Sequence, residues 1–439
     1  MKYRMYDLIE KKKHKIPLTL DEIQEMILAY TAGGIPDYQM SAFLMAVWFQ
    51  GMTDEELSHF TLAMAASGDE LDLSRVSGVK LDKHSTGGVG DKTTLVVAPV
   101  LAALGVPTAK MSGRGLGFTG GTVDKLESIP GLRSELTEEE FLRILRTVGF
   151  VDAAQTKELA PADKLLYALR DVTATIDSIP LIASSIMSKK LASGADKIVL
   201  DVKCGSGAFM RDISSAKALA GQMIRIGEHT EREITAVISD MDQPLGRAVG
   251  NALEVMESVE VLKGGGEERL VSLCIALAVE MLQLSDKARP TREEAEEAVK
   301  EILQNGAALD RFRAYVREAG GDPAALDRTQ VETKYRKEIL SDREGYLFSC
   351  DAGEVGLVSV LLGAGRAKKG DPIDPESGIL LKKKLGDHIG KGEVLAEIFT
   401  NREDVLETAE ERLLRSYLIK EEPPEAKGVI IDILHSEPI

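Results

Sequence analysis

Cysteine is scarce in this chain of 439 residues: Cys204, Cys274 and Cys350 stand too far apart in sequence for a dense disulfide framework or a Cys-x-x-Cys metal clasp. A reducing compartment suits such a chain. Long apolar runs are also missing, and the stretch 95–104 falls well short of the roughly 18 to 20 residues that cross a bilayer. Residues 1–15 are charged and lack the apolar centre of a secretory signal, so a soluble, cytoplasmic protein with no membrane partner is expected. Positive charge is in deficit, 54 Lys and Arg against 71 Asp and Glu, for a net −17. That argues against a nucleic-acid surface while leaving room for local basic pockets. No pair among the six histidines has metal-binding spacing, and no Gly-x-Ser-x-Gly elbow marks a serine hydrolase.

What is present, 44% hydrophobic residues, suits two or three domains with cores of their own. Thr19 with Glu22, Thr53 with Glu56 and Thr137 with Glu140 are capping-box pairs that predict helix starts. With the apolar stretch 38–49, they make residues 1–70 a small all-helical domain, to which a second helical stretch, 162–192, returns. Short β-rich runs at 79–83, 107–111, 198–203 and 235–239 alternate with helical stretches, which predicts a large α/β domain over 71–161 and 193–340. Its sheet should be mainly parallel, with ligands at the C-terminal ends of the strands. Residues 341–439 read as a β-rich, barrel-sandwich-like α+β unit, with short alternating runs over 345–400, an acidic helix over 402–420 and a last apolar strand at 428–434.

The segment DKHSTGGVGDKTT at 82–94 follows a predicted strand and precedes a helix. Glycines let backbone amides approach an anion, the helix N-terminus adds a positive dipole, and Lys83, Ser85 and Thr94 complete a phosphate cradle. It is not a P-loop, because Lys83 precedes the glycines and Asp91 separates Gly90 from Lys92. His84 is singled out from the other histidines by these neighbours. A second glycine-rich segment, KMSGRGLGFTGGTVDKLES at 110–128, could add Ser112 and Thr122 to the same anion. Its charges Arg114, Asp124, Lys125 and Glu127 read better as pairing among themselves to hold the loop. Tyr167 with Arg170 (i,i+3) and Ser185 with Lys189 (i,i+4) can each project from one helix face. Spacing alone leaves these four equally open to being a solvated surface.

The blocks at 83–91, 112–128, 167–175 (YALRDVTAT) and 184–190 (SSIMSKK), in that order, resemble the pyrimidine-nucleoside and thymidine phosphorylases. The resemblance implies that Lys83, His84, Ser85, Thr94, Lys110, Met111, Ser112 and Thr122 bind phosphate. It implies that Lys110, Tyr167, Arg170, Ser185 and Lys189 hold the nucleoside, with His84, Arg170 and Lys189 catalytic. It further implies a homodimer through the helical domains and one potassium ion per subunit, held by Gly90, Lys92, Leu245, Ala248 and Glu257. Lys92 stands where the family often has threonine, so only its carbonyl is expected to reach the ion. Lys110 resembles the broad enzymes that accept uridine along with thymidine and deoxyuridine; a thymidine-specific phosphorylase is the alternative. Phe118 departs from the histidine usual in the signature. Two other readings are weaker: an anthranilate-type phosphoribosyltransferase, whose loop is typically GTGGD, and a lipoyl- or biotinyl-like carrier, suggested by 385–398 but lacking a modifiable DK or MK hairpin.

Overall fold

The computed structural model describes residues 2–115, 117–118, 120–156, 158–285, 290–368 and 370–437. Four helices come first: α1 (Met5–Lys13), α2 (Leu20–Thr31), α3 (Asp37–Gln50) and α4 (Asp54–Ala65). Then follow β1 (Leu81–Ser85), α5 (Thr93–Ala103), β2 (Thr108–Ser112), α6 (Thr122–Glu127), α7 (Glu138–Val148) and β3 (Phe150–Ala154). Two helices, α8 (Pro161–Val172) and α9 (Ile179–Ala192), precede β4 (Lys197–Cys204), α10 (Ile213–His229) and β5 (Glu233–Asp240). The chain continues through β6 (Ala248–Val249), α11 (Asn251–Leu262), α12 (Glu268–Leu284), α13 (Arg292–Gln304) and α14 (Ala307–Glu318). The last elements are β7 (Tyr335–Leu340), β8 (Gly345–Cys350), α15 (Ala352–Leu362), β9 (Gly378–Leu381), β10 (His388–Ile389), β11 (Val394–Thr400), α16 (Leu406–Ser416), β12 (Tyr417–Lys420) and β13 (Ile430–His435).

All three expected capping boxes form, at the starts of α2, α4 and α7. Glu56 also accepts Lys12 Nζ on both oxygens at 2.8 Å and the Leu18 amide at 2.8 Å, which joins α1 to α4 inside the helical domain. α8 and α9 complete that domain, packing Ala162, Leu166 and Leu181 against Leu8, Met26, Phe43 and Phe60. The expected helical stretch at 162–192 is thus two helices with a turn between them.

The large sheet has the order β13-β5-β4-β1-β2-β3, parallel from β5 to β3. Helix α5, apolar on every side, is buried along almost its whole length beneath α11, α12 and α14, as a helix with no polar face must be. The opposite face is covered by α10 and by α9, whose Ala183 and Met187 join the core of β4 and β5. α9 therefore belongs to three cores, through Leu181, through Ala183 and Met187, and through Ala192.

Three boundaries differ from expectation. β13 pairs antiparallel with β5, Ile430 opposite Ser239 and His435 opposite Thr235, so the last strand belongs to the large sheet and not to the C-terminal unit. β7 pairs with β11, which starts the C-terminal sheet at Tyr335 instead of 341, and β6 joins it by pairing with β9. Within 402–420 the α-helix spans Leu406–Ser416, and Tyr417–Lys420 is a strand paired with β8. An alternating apolar run carries no label for the sheet it will join; tertiary pairing decides that.

Candidate active site

β1 ends at Ser85, and the chain turns through Gly87 (φ +92) and Gly90 (φ +74) into α5. A side chain at Gly90 would stand 2.5 Å from the Leu245 carbonyl oxygen, so the turn requires glycine. Inside the turn Ser85 Oγ donates to Asp91, while Thr93 Oγ1 donates to Asp91 Oδ1 at 2.9 Å and accepts Lys83 Nζ at 2.5 Å. Burial pushes the Asp91 carboxyl up, but Lys203, Lys83, Lys125 and Ser85 outweigh it and hold Asp91 well below the carboxylate range. Thr93 and Thr94 form the first turn of α5, where the amides have no helical partner and the dipole favours an anion.

From β2, Lys110 Nζ donates to the Lys83 carbonyl at 2.6 Å, leaving two of its three N–H groups for a ligand. Burial, then Lys190, lowers the pKa of Lys110, and burial likewise lowers that of Lys83. Ser112 Oγ is buried beside the Asp152 carboxyl, where its hydroxyl acts against the rise of that carboxyl's pKa, and it makes no other hydrogen bond. Met111 is buried and its carbonyl accepts Lys190 Nζ at 3.3 Å, while Thr122 opens α6 half-buried. The residues assigned to phosphate thus gather at the ends of two adjacent parallel strands and the helix starts that follow them.

His84 projects from the same strand end, half-buried. Burial, then Lys190, Lys110, Lys189 and Lys83, lowers its pKa well below the ordinary 6.5. The four lysines around the ring therefore disfavour its charged form while the site is empty of anion. Lys189 belongs to the helical side, so cations from both sides act on one imidazole.

On that side, Lys189 Nζ donates to Asp163 Oδ2 at 2.6 Å and to Ser185 Oγ at 3.2 Å. Tyr167 is 41% exposed. Arg170 is buried, and burial lowers its pKa. Its guanidinium donates to the carbonyls of Thr175 at 3.3 Å, Ile176 at 2.8 Å and Leu181 at 3.0 Å, so three of its five N–H groups hold the turn between α8 and α9. Next to Lys189, Lys190 Nζ reaches in the other direction and pairs with Asp82 Oδ2 of β1 at 2.7 Å, both side chains fully buried. Two consecutive lysines therefore divide the work: one serves the cleft, the other pins α9 to the sheet.

Sequence reasoning missed Thr93, Asp82, Asp152, Asp201, Lys190 and Lys203. Lys203 Nζ lies 2.7 Å from Asp201 and 3.8 Å from Asp91, and Lys83 Nζ lies 3.5 Å from Asp201. Burial raises the Asp152 carboxyl to about 6 against the pull of Lys110 and of the neighbouring Ser112 hydroxyl. A signal was available, because charges inside apolar strands such as KIVLDVKC at 197–204 need buried partners. The charges of the second glycine loop pair among themselves only in part: Arg114 binds Glu127, but Lys125 lies 2.9 Å from Glu254 and Asp124 takes both Arg366 nitrogens at 2.8 Å, partners more than 100 positions away that tie the loop to α11 and to the C-terminal part of the chain. Phe118 tilts against Phe209 at 6.0 Å between ring centres.

The positions expected to hold potassium also converge, but around an ammonium. Lys92 Nζ lies 3.0 Å from the Leu245 carbonyl oxygen, 2.8 Å from that of Ala248 and 2.5 Å from Glu257 Oε2. The expectation that Lys92 contributes only a carbonyl is corrected: its side chain stands at the centre of the set. The residues present do not fit potassium, since the oxygens it would need already accept from Lys92. Among the described residues no cluster of three or more His, Cys, Asp or Glu could hold a metal ion. A groove of about 840 Å³ lies beyond this point between α11 and Lys384, and none of His84, Lys110, Tyr167 and Lys189 lines it.

Three family models match in succession: the helical bundle domain of the glycosyl transferase family over 6–68, its a/b domain over 77–309, and the pyrimidine nucleoside phosphorylase C-terminal domain over 346–420. The chain is 51% identical over 431 residues to the pyrimidine-nucleoside phosphorylase of Geobacillus stearothermophilus, covering 98% of this chain and 99% of that one. It is 51% identical over 404 residues to that of Staphylococcus haemolyticus (strain JCSC1435), covering 92% and 93%. Among solved structures, anthranilate phosphoribosyltransferase from Thermus thermophilus superposes with a TM-score of 0.59 at 20% identity, over 71% of this chain and 99% of that one. That likeness shows a shared fold alone. No helix among the described residues is long and apolar enough to cross a membrane. With relatives matched at half identity along nearly its whole length, and each domain matched in order, the chain belongs to the pyrimidine-nucleoside phosphorylase family of glycosyltransferases.

Proposed function

We propose that the protein catalyses reversible phosphorolysis of pyrimidine nucleosides, uridine together with thymidine and deoxyuridine, to the free base and (deoxy)ribose 1-phosphate. One observation carries the reading. A buried Ser112 hydroxyl sits on the strand next to Lys83 and His84, while Lys189, from the helical domain, is near enough to that same His84 to help lower its pKa. An anion cradle and a base-binding face thus meet at one residue.

In the proposed reaction a phosphate oxygen attacks C1′ as the bond from C1′ to the base nitrogen breaks, and the bonding pair leaves with the base. Lys83, Lys110, Ser112 and the first turn of α5 hold the phosphate. Lys189, fixed by Asp163, and the uncommitted N–H groups of Arg170 face the oxygens on which the base gathers charge; Ser185 orients the ring. His84 donates a hydrogen bond or a proton to the departing base. Bringing two substrates from two domains into contact converts a bimolecular step into a local one. Uridine use rests on Lys110, whose remaining N–H groups can meet a ribose hydroxyl. A cytoplasmic homodimer belongs to the same reading, supported by Tyr38, Trp48 and Phe49 exposed on α3, an apolar face that a second copy would cover.

The test is uracil release from uridine and thymine release from thymidine, with and without phosphate, in buffer lacking magnesium and pyrophosphate. Release of both bases only when phosphate is present is expected. Release independent of phosphate would refute phosphorolysis, and thymidine cleavage without uridine cleavage would leave the thymidine-specific alternative.

A further inference from the structure

We propose that the Lys92 ammonium is a built-in replacement for the monovalent cation, so that the phosphate loop is set in place without potassium. An ammonium has three N–H donors, and Lys92 has three acceptors: the carbonyls of Leu245 and Ala248 and one Glu257 oxygen. The side chain is 0% exposed and Glu257 7%, so no water competes for them. The other Glu257 oxygen accepts the Arg247 amide at 2.6 Å, and the Ala248 amide lies 2.9 Å from the oxygen that takes Lys92. One carboxylate therefore balances one ammonium, and a potassium ion added to this set would meet a like charge at bonding distance. The rest of the turn is claimed as well, because Lys384 Nζ donates to the carbonyls of Pro244 at 2.6 Å and Gly246 at 2.7 Å.

Lys92 stands at the N-cap position of α5, directly before Thr93 and Thr94, and its side-chain partners lie on the 245–248 turn and on α11. The ammonium thus ties the glycine loop to the body of the large domain. The loop and the turn already touch, through the Leu245 amide donating to the Val89 carbonyl at 3.0 Å and through Gly90. Lys92 is a positioning residue: it acts on phosphate by fixing the backbone amides that face it.

The activity arm of the test rests on the proposed function, while the melting arm does not. Wild type, Lys92→Thr and Lys92→Met, each freed of potassium, are compared in potassium chloride and in choline chloride at equal ionic strength, reading melting temperature without substrate and the KM for phosphate. Wild type is expected to give the same values in both salts. Lys92→Thr, which opens space and supplies a hydroxyl, is expected to melt lower and show a raised phosphate KM in choline, with kcat changed less, and to recover in potassium; Lys92→Met stays low in both. A wild-type melting temperature that rises with potassium overturns the proposal, as does a Lys92→Thr variant as indifferent to potassium as wild type. Should Lys92→Thr fail to fold, the wild-type comparison decides. A wild type that melts identically in both salts but releases no base would count against the proposed reaction and leave this inference standing.

Discussion

The two sides of the cleft are built differently. On the α/β side Lys83, Lys110 and Lys203 are all buried, held by the Thr93 hydroxyl, the Lys83 carbonyl and the Asp201 carboxylate, and Lys190 reaches in from α9 to the buried Asp82. On the helical side Tyr167 is 41% exposed, and Lys189, 21% exposed, is held by groups of its own domain, Asp163 and Ser185. The anion half is therefore organised before a substrate arrives, which is where fixed charges are most effective. The base half is looser, apart from Arg170, which shapes the turn between α8 and α9.

The strongest way to break this arrangement is at the join. Lys190→Ala leaves Asp82 buried and unpaired, and should cost about 3–5 kcal/mol in urea unfolding. Replacing both partners together, Lys190→Met with Asp82→Asn, should recover much of that loss. Next in size is Lys189→Ala, expected to lower kcat/KM by roughly 10²–10³-fold, the usual cost of removing one donor to a developing charge. Its stability should fall far less than that of Lys190→Ala, since this side chain is 21% exposed.

A third test uses pH. The Asp152 carboxyl is raised to about 6, above its ordinary 3.8, so the folded protein binds the extra proton between those values. Stability that is full below pH 3.8 is lost as pH rises through about 6. Asp152→Asn should remove that dependence, and its advantage over wild type in melting temperature should grow from about pH 4 to about pH 7 and then level off, at about 3 kcal/mol at most for a shift of this size. The smallest effect belongs to the helical scaffold: Thr53→Ala removes the cap of α4 and should cost about 1 kcal/mol with kinetics unchanged.

Much of this was legible in the sequence because it is local. Capping boxes fix helix starts within four residues, and glycine loops after apolar runs mark strand ends. The order of the three domains and the two faces of the cleft followed from such signals and from the family resemblance. Legibility failed where a residue's partner is distant. Asp82 and Lys190 are 108 positions apart, and Lys92 and Glu257 are 165. Nothing near Lys92 says that its side chain, and not its carbonyl, meets Leu245 and Ala248. Arg170 shows the same limit: its spacing to Tyr167 places it on a helix face, but only the fold shows three carbonyls beneath it. β3, the edge strand beside β2, escaped notice because Phe150–Ala154 is short and interrupted by Asp152.

The division of labour between the two sides is tested most directly by calorimetric titration of inorganic phosphate into wild type, Ser112→Ala and Lys189→Ala. A hydrogen bond to a charged ligand contributes about 1.5–3 kcal/mol. Ser112→Ala should therefore bind phosphate roughly 10- to 100-fold more weakly, while Lys189→Ala binds it as wild type does. Phosphate affinity lost in Lys189→Ala and kept in Ser112→Ala would contradict the account.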